Sequence, residues 1–202
     1  MDDHYFTADP AVPFRREPFT CEVWGHRLDL VSGSGVYSRG HLDIGTAVLF
    51  RETKPPAAGE ILDLGCGYGV IGLAIASTVQ GAVVTGVDVN ERAVLLANEN
   101  AASSGLAGRF TACTPDDVAD DATYDEIWSN PPIRIGKPAL HELLLTWLPR
   151  LVPGGRAVLV VGKFLGADSL QSWLGEQGWP TTRLASAKGF RVLETRRGET
   201  AG

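Results

Sequence analysis

The sequence is poor in cysteine, and its 202 residues contain only Cys21, Cys66 and Cys113. These residues are far apart and have no C-x-x-C spacing, which argues against a disulfide framework or a cysteine-based metal site. The four histidines are scattered along the chain as well. We therefore expect no bound metal, and reduced thiols of the kind found in cytoplasmic proteins.

Long apolar runs and excess positive charge are also missing. No stretch approaches the roughly 18 apolar residues of a membrane-spanning helix, and the acidic start at residues 1–4 lacks the apolar core of a signal peptide. Lysine and arginine total 18 against 24 acidic residues, a formal net charge of −6. Such a surface repels nucleic acid as a whole, so RNA binding would require a local basic face.

The remaining composition, 44% hydrophobic, suits one domain with a core on both sides of a sheet. We predict a single domain over residues 1–202. Its parts are an irregular, proline-broken arm (1–18), a hairpin, loop and helix (19–58), an α/β core (59–197) and a frayed tail (198–202).

From Gly59 onward, strand and helix patterns alternate, which is typical of a doubly wound parallel sheet. The predicted strands cover 61–64, 82–87, 109–113, 126–129, 156–161, 181–185 and 190–195. The last two form a hairpin, and two further strands at 19–24 and 27–31 form another before the core. The predicted fold is therefore a mostly parallel, seven-stranded Rossmann-like sheet with a C-terminal antiparallel hairpin and a short N-terminal hairpin extension.

The glycine-rich turn after the first core strand is the most informative stretch. It runs Ile61-Leu62-Asp63-Leu64-Gly65-Cys66-Gly67-Tyr68-Gly69-Val70-Ile71-Gly72. Glycines let a ligand approach the backbone, and the helix that follows directs its unpaired N–H groups toward the turn. The stretch fits G-x-G-x-x-G, and Asp88 follows about 20 residues later, as in dinucleotide-binding folds. A nicotinamide cofactor is therefore one possibility.

Asp63 favours a different cofactor. An acid followed by G-x-G-x-G resembles the first motif of class I S-adenosylmethionine (SAM) methyltransferases, in which the acid contacts the region of the cofactor's amino group. A pyrophosphate ligand would be repelled by the same carboxylate. The resemblance implies that this stretch holds SAM through Asp63, Gly65, Cys66, Gly67, Tyr68 and Gly69.

Polar residues follow the first four core strands, where ligands of open α/β sheets bind. Asp88, with Val89 after it, ends the second strand and suits the hydroxyls of a ribose. Thr114, Asp116 and Asp117 follow the third strand, and any one of them is a candidate to contact adenine; Asp116 or Asp117 could accept a hydrogen bond from its amine. Asp116 and Asp117 fit a solvated acidic loop equally well.

Asn130-Pro131-Pro132 follows the fourth strand. The prolines fix an extended backbone and remove two donors, and the Asn130 side chain adds an acceptor. A planar amine that donates to Asn130 and to the Pro131 carbonyl would be oriented for methyl transfer, which needs proximity more than a strong base. The predicted catalytic residues are Asn130, Pro131, Pro132 and Ile133. A plain structural turn is the alternative, because Asn-Pro commonly opens turns.

Four segments together resemble the methyltransferase domain of bacterial small-subunit ribosomal RNA guanine-N2 methyltransferases. They are Gly35–Thr46, Asp63–Gly69, Asn130–Pro132 and Lys188–Leu193. The resemblance spans about residues 19–197 and implies a SAM-dependent enzyme that methylates guanine N2 in ribosomal RNA. It also implies that Arg39, Asp43, Gly45 and Thr46 line the cofactor site. Asp43 is in addition a plausible N-cap for a helix from Ile44.

Ile133 departs from that family, which usually has an aromatic residue after Asn-Pro-Pro to stack on a flipped base. The longer members also carry an additional N-terminal domain. Other substrates therefore stay open, namely a protein glutamine amide or adenine N6, as do a nicotinamide oxidoreductase and a non-catalytic SAM- or RNA-binding module. A basic rim is the candidate RNA face, or simply a set of solvated cations: Arg15, Arg16, Arg39, Arg134, Lys137, Lys163, Lys188 and Arg191.

Overall fold

The computed structural model describes residues 13–36, 40–132 and 135–199. The strands are β1 (Arg16–Val23), β2 (His26–Gly33), β3 (Gly59–Leu64), β4 (Ala82–Val87), β5 (Phe110–Cys113), β6 (Tyr124–Ser129), β7 (Leu151–Gly162), β8 (Thr181–Ala187) and β9 (Phe190–Arg196). The α-helices are α1 (Ile44–Glu52), α2 (Val70–Thr78), α3 (Glu91–Ser103), α4 (Lys137–Trp147) and α5 (Ala167–Glu176). No helix in these described ranges is long and apolar enough to cross a membrane.

The seven strands β3–β9 form one sheet in the order β5-β4-β3-β6-β7-β9-β8. Strands β3 to β7 are parallel, and β9 is antiparallel to both β7 and β8. The predicted mostly parallel sheet and its C-terminal hairpin are therefore confirmed. Because the strand order reverses between β3 and β6, a crevice is expected at their carboxyl ends.

The core has two layers, one on each face of the sheet. Alternating side chains of β3 show the division, since Ile61 contacts the α1–α3 side and Leu62 contacts the α4–α5 side. On α4, Leu140, Leu144 and Trp147 are buried. Their spacing of four and three residues is the one that predicts a buried face on a helix. Each helix thus covers one face of the sheet, and the strand ends stay open for a ligand.

The predicted N-terminal hairpin is present as β1 and β2. Its two-residue turn, Trp24-Gly25, has positive φ at both positions (49° and 82°), as a type I′ turn requires. The Trp24 indole N–H donates to the carbonyls of Phe50 and Thr53, at 3.0 and 3.1 Å. The turn of the hairpin thereby satisfies carbonyls at the end of α1.

The hairpin is longer than predicted, because β1 begins at Arg16 rather than Phe19. Pro18 predicts an irregular backbone at the end of the arm, yet it lies within β1, opposite Val31 of β2. The Val31 N–H and C=O pair with the side chain of Asn100 on α3, at 2.8 and 2.9 Å. The backbone of Val31 therefore needs no hydrogen bond from β1, and the missing N–H of Pro18 leaves no acceptor unpaired.

A second difference concerns Pro153-Gly154-Gly155, which predicts a turn before a strand at Arg156. These residues lie inside β7, where the pairing with β6 changes register between Tyr124 and Glu126. The two glycines allow the backbone to adopt this change of register, so β7 continues from Leu151 to Gly162 without a turn.

Candidate active site

A cavity of about 300 Å³ opens at the carboxyl ends of β3, β4 and β6. It lies at the reversal of strand order, and its size is at the lower end of ligand pockets, which span about 300–1,000 Å³. Most of the predicted site residues line it: Asp43, Thr46, Gly65, Cys66, Gly67, Tyr68, Asp88, Val89, Asn130, Pro131 and Pro132.

Other predicted residues lie elsewhere. Gly45, Asp63, Gly69, Thr114 and Asp116 are not in the cavity wall. Thr114 Oγ donates to Asp117 at 2.6 Å, and Asp116 is exposed, while Pro115 between them lines the cavity. Their assignment to adenine stays a prediction. Arg39 and Ile133 lie outside the described residues.

The glycine turn has the left-handed backbone that its sequence demands. Gly65, Gly67 and Gly69 have φ values of 72°, 56° and 89°. A side chain at Gly67 would meet no atom within 4 Å, so this glycine faces the open space of the cavity. A side chain at Gly69 would instead lie 3.1 Å from Ala97 and 3.2 Å from Phe110, because this glycine packs against the protein interior.

Asp63 lies fully buried beneath the turn. Its Oδ2 accepts the Gly72 N–H at 2.8 Å, but its Oδ1 has no hydrogen-bond partner among the described residues. Burial raises the pKa of this carboxyl to about 7. A buried oxygen without a partner is costly in the protein alone, and it fits a ligand that brings a donor or a positive charge.

Asp88, at the end of β4, is held by backbone donors. Its Oδ2 accepts the Gly67 N–H and its Oδ1 accepts the Asn90 N–H, both at 2.9 Å. Burial raises its pKa, and these N–H groups oppose that rise. Each oxygen keeps a second lone pair, so the carboxylate can accept hydroxyl donors from a ligand in the cavity.

Asn130 is held by the N-cap and the first turn of α1. Its Nδ2 donates to Asp43 Oδ2 at 2.8 Å and to Thr46 Oγ1 at 3.0 Å. A carboxylate only accepts, so the amide nitrogen must face Asp43, and Oδ1 is left as the acceptor for another group. Asp43 Oδ2 also accepts the Thr46 N–H at 3.0 Å, which confirms the predicted N-cap.

The Asn-Pro-Pro turn and the glycine turn lie against each other. Ser129 Oγ donates to the Leu64 carbonyl at 2.6 Å and ties the ends of β6 and β3 together. A side chain on Gly65 would be 3.7 Å from Pro132 Cδ. A substrate held by Asn130 would therefore lie next to a ligand held by the glycine turn.

Gly45 supports this arrangement from outside the wall. A side chain there would be 2.9 Å from Asp43 Oδ2 and from the ring of Phe190, and Phe190 lines the cavity. A glycine is therefore needed for Phe190 to approach the start of α1. Phe190 belongs to the Lys188–Leu193 segment that contributes to the family resemblance.

The sequence did not indicate the apolar wall. Leu143 and Trp147 of α4 line the cavity although their periodicity predicts only a core role, and Gly162 and Leu165 line it after β7. Helix periodicity does not separate a core position from a cavity wall. For Gly162 a usable signal existed, since it ends a central strand on the edge of the sheet where the other site residues lie.

Comparison with known proteins identifies relatives over nearly the whole chain. Residues 27–194 match the family described as the methyltransferase small domain. An uncharacterized Bacillus subtilis protein, YbxB, is 32% identical over 98% of this chain and 100% of its own length. The ribosomal RNA small subunit methyltransferase C of Chromohalobacter salexigens is 38% identical over 83% of this chain.

A solved structure agrees with these sequence relatives. The T. thermophilus 16S rRNA N2 G1207 methyltransferase, in complex with AdoMet and guanosine, superposes with a TM-score of 0.79 over 93% of this chain at 25% identity. The chain spans only about half of the longer proteins, 51% of the Chromohalobacter protein and 52% of the T. thermophilus chain.

Proposed function

Because this chain belongs to the methyltransferase small domain family, we propose that it transfers the methyl group of SAM to the exocyclic N2 amine of a guanine in small-subunit ribosomal RNA. SAM-dependent methyl transfer is the activity of the family, and this removes the support for a nicotinamide oxidoreductase. The choice of RNA and of guanine N2 is our inference from the site and from named relatives.

The residues around the glycine turn fit SAM. The partnerless Asp63 Oδ1 suits the cofactor's amino group, the Asp88 carboxylate suits its ribose hydroxyls, and Gly67 leaves room for it beside the turn. The bound cofactor would supply a methyl group on a sulfonium, from which a neutral thioether departs readily as the new N–C bond forms. The protein's own residues then have to present an amine to that methyl group and to exclude competing water.

The observation that carries the proposal is the orientation of Asn130. Its amide nitrogen is engaged by Asp43 and Thr46, so its Oδ1 accepts from the target amine, with the Pro131 carbonyl as the second acceptor. Two acceptors fix the plane of an exocyclic amine and turn its nitrogen lone pair toward the methyl group. No strong base is required before transfer, since the proton leaves the positively charged product amine afterwards.

Two comparisons support guanine in RNA. Several relatives carry the name ribosomal RNA small subunit methyltransferase C, and the T. thermophilus relative is described with AdoMet and guanosine. The first of the sequence relatives above is uncharacterized, so the exact substrate rests on the longer proteins. The proposed partner is therefore ribosomal RNA, free or in a ribosomal particle, and the proposed place of action is the cytoplasm.

The test is transfer of a tritiated methyl group to RNA from cells that lack this protein, followed by digestion and nucleoside analysis. The proposal predicts label in N2-methylguanosine from small-subunit ribosomal RNA. Label in N6-methyladenosine or in protein glutamine would keep the methyltransferase and replace the substrate. RNA from cells that contain the protein is the control, and it should accept little label because its target is already methylated.

A further inference from the structure

Phe164 is an exposed aromatic residue beside the mouth of the cavity. It lies on the short turn Lys163–Leu165 that follows β7, and 89% of its surface is accessible. This is the largest exposed fraction of any bulky apolar side chain in the described part of the chain. Its neighbours Gly162 and Leu165 line the cavity. The ring therefore adds nothing to the core, and it lies on a turn that forms part of the cavity wall.

Three lysines lie on this turn or on segments that contact it. The Lys163 Nζ lies 5.7 Å from the centre of the Phe164 ring. The Lys163 N–H donates to the Gly189 carbonyl at 2.7 Å, which brings the turn against Lys188 of the β8–β9 hairpin. A side chain on Gly166 would be 3.5 Å from Lys137 Cε. We call Phe164, Lys137, Lys163 and Lys188 the Phe164 patch.

The patch is positive on a chain that is negative overall. It holds three of the four lysines of the sequence, although the formal net charge is −6. The acid that is nearest to Phe164 along the chain is Asp168. It forms an ion pair with Arg191 at 3.2 Å, so its charge does not neutralise that of the lysines. Positive charge next to an exposed ring is the combination that binds single-stranded nucleic acid, through phosphate contacts and base stacking.

We propose that the Phe164 patch binds an unpaired nucleotide of the RNA, with its base stacked on Phe164 and the neighbouring phosphates on the lysines. This rests on the proposed function, since it takes RNA to be the substrate. The patch would supply the aromatic surface that the chain lacks after Asn-Pro-Pro, where it has Ile133. A second copy of this chain is a poorer partner, because two such patches would repel each other.

The binding test uses a short, fluorescein-labelled single-stranded RNA and its fluorescence anisotropy. Phe164→Ala should weaken binding about 5- to 100-fold, the usual loss for one stacked base, and Phe164→Trp should restore it. Lys163→Ala should weaken binding and reduce the slope of log affinity against log salt by about 0.7.

Two matched variants serve as controls, because they change similar side chains away from the cavity. Leu184→Ala removes another exposed apolar side chain, and Lys54→Ala removes the lysine outside the patch. Both should keep the RNA affinity of the unmodified protein. All variants should bind SAM normally in a thermal-shift assay, which excludes a folding defect.

Methyl transfer distinguishes failure of this proposal from failure of the proposed function. If the unmodified protein labels guanine N2 and Phe164→Ala has the same RNA affinity and KM, the stacking role is refuted while the function stands. If no RNA is labelled or bound by the unmodified protein, both proposals are refuted. A change in oligomeric state without a change in RNA affinity would assign Phe164 to a protein interface and would also overturn the stacking role.

Discussion

Asp43 orients Asn130, the residue that we propose presents the substrate. Replacing it with alanine removes an acceptor of the Asn130 amide and the N-cap of α1 together. We expect Asp43→Ala to lower kcat by about 10- to 100-fold and to cost about 1 kcal/mol of stability.

Asp43→Asn separates the two effects of this change. Asparagine is an equally good N-cap, and its oxygen can still accept from Asn130, so kcat should recover most of the loss. Steady-state kinetics and thermal unfolding of both variants make the comparison. If the alanine variant keeps its kcat and loses only stability, Asp43 is merely a cap.

Adding one methyl group at Gly67 tests whether the cofactor binds beside the glycine turn. Gly67→Ala and Gly105→Ala both place a side chain on a left-handed residue, with φ of 56° and 68°, and neither meets an atom within 4 Å. Each should lose about 1 kcal/mol of stability. Only Gly67→Ala should also weaken SAM binding strongly, because its methyl group projects into the cavity. If calorimetry gives the two variants the same SAM affinity, the cofactor does not bind against this turn.

Asp63 should make SAM binding depend on pH. Its pKa near 7 in the folded protein is above the ordinary value, so the folded chain holds more protons than the unfolded chain between about pH 4 and 7. The stability of the cofactor-free protein should therefore fall as pH rises through this range. The cofactor's amino group favours the carboxylate, so SAM affinity should rise over the same range.

Calorimetry in two buffers of different ionisation enthalpy measures the proton that Asp63 releases on SAM binding. Asp63→Asn should bind SAM more weakly and release no such proton. Proton release that is the same in this variant and in the unmodified protein would assign the titration to another group.

At the scale of elements, β6, β7 and β9 are joined by a partly buried ion network. Arg156 on β7 bridges Glu126 on β6, at 3.0 Å, and Glu194 on β9, at 2.8 Å. The Trp128 indole N–H also donates to Glu126, at 2.9 Å. These contacts tie the antiparallel strand to the parallel part of the sheet. The pKa of Glu194 is lowered despite its burial, because Arg156 and Arg196 bind the charged form.

Arg156→Ala should therefore destabilise the protein by about 2 kcal/mol, since it leaves two carboxylates without their shared partner. The loss should shrink at acidic pH, because a carboxyl with a lowered pKa loses its contribution as pH falls through that pKa. Urea unfolding at neutral and acidic pH measures both effects. Arg183→Ala, on exposed β8, is the control and should change stability by less than about 0.5 kcal/mol. A loss independent of pH would indicate a packing effect instead.

The sequence predicted the features that depend on local residues, but not the contacts between elements that lie far apart in the chain. Local signals sufficed for most of the strands and for the glycine turn, because each depends on neighbours in sequence. The contact between Asp43 and Asn130, 87 residues apart, depends on how α1 and β6 meet. The resemblance named Asp43 as a site residue, but its hydrogen bond to Asn130 emerges only from the fold. The apolar wall from α4 carries no sequence motif at all.

At the scale of the whole molecule, the proposed function requires the crevice to receive two ligands from different sides. The β3 and β4 ends supply the residues suited to SAM, and the β6 end, α1 and the Phe164 patch supply those suited to the substrate. The resemblance to ribosomal RNA methyltransferases is confirmed at the level of the family. The domain limits and the roles of individual residues stay predictions, and they are the subject of the variants above.

The most direct test of the central claim is the effect of Asn130→Ala on the two ligands separately. SAM affinity, measured by calorimetry, should stay within about twofold, because Asn130 makes no side-chain hydrogen bond to Asp63, Asp88 or the glycine turn in the described part of the chain. The kcat for methyl transfer to ribosomal RNA should fall by about 100-fold or more, since the target amine loses its oriented acceptor. A variant that binds SAM and methylates RNA at the unmodified rate would contradict the account.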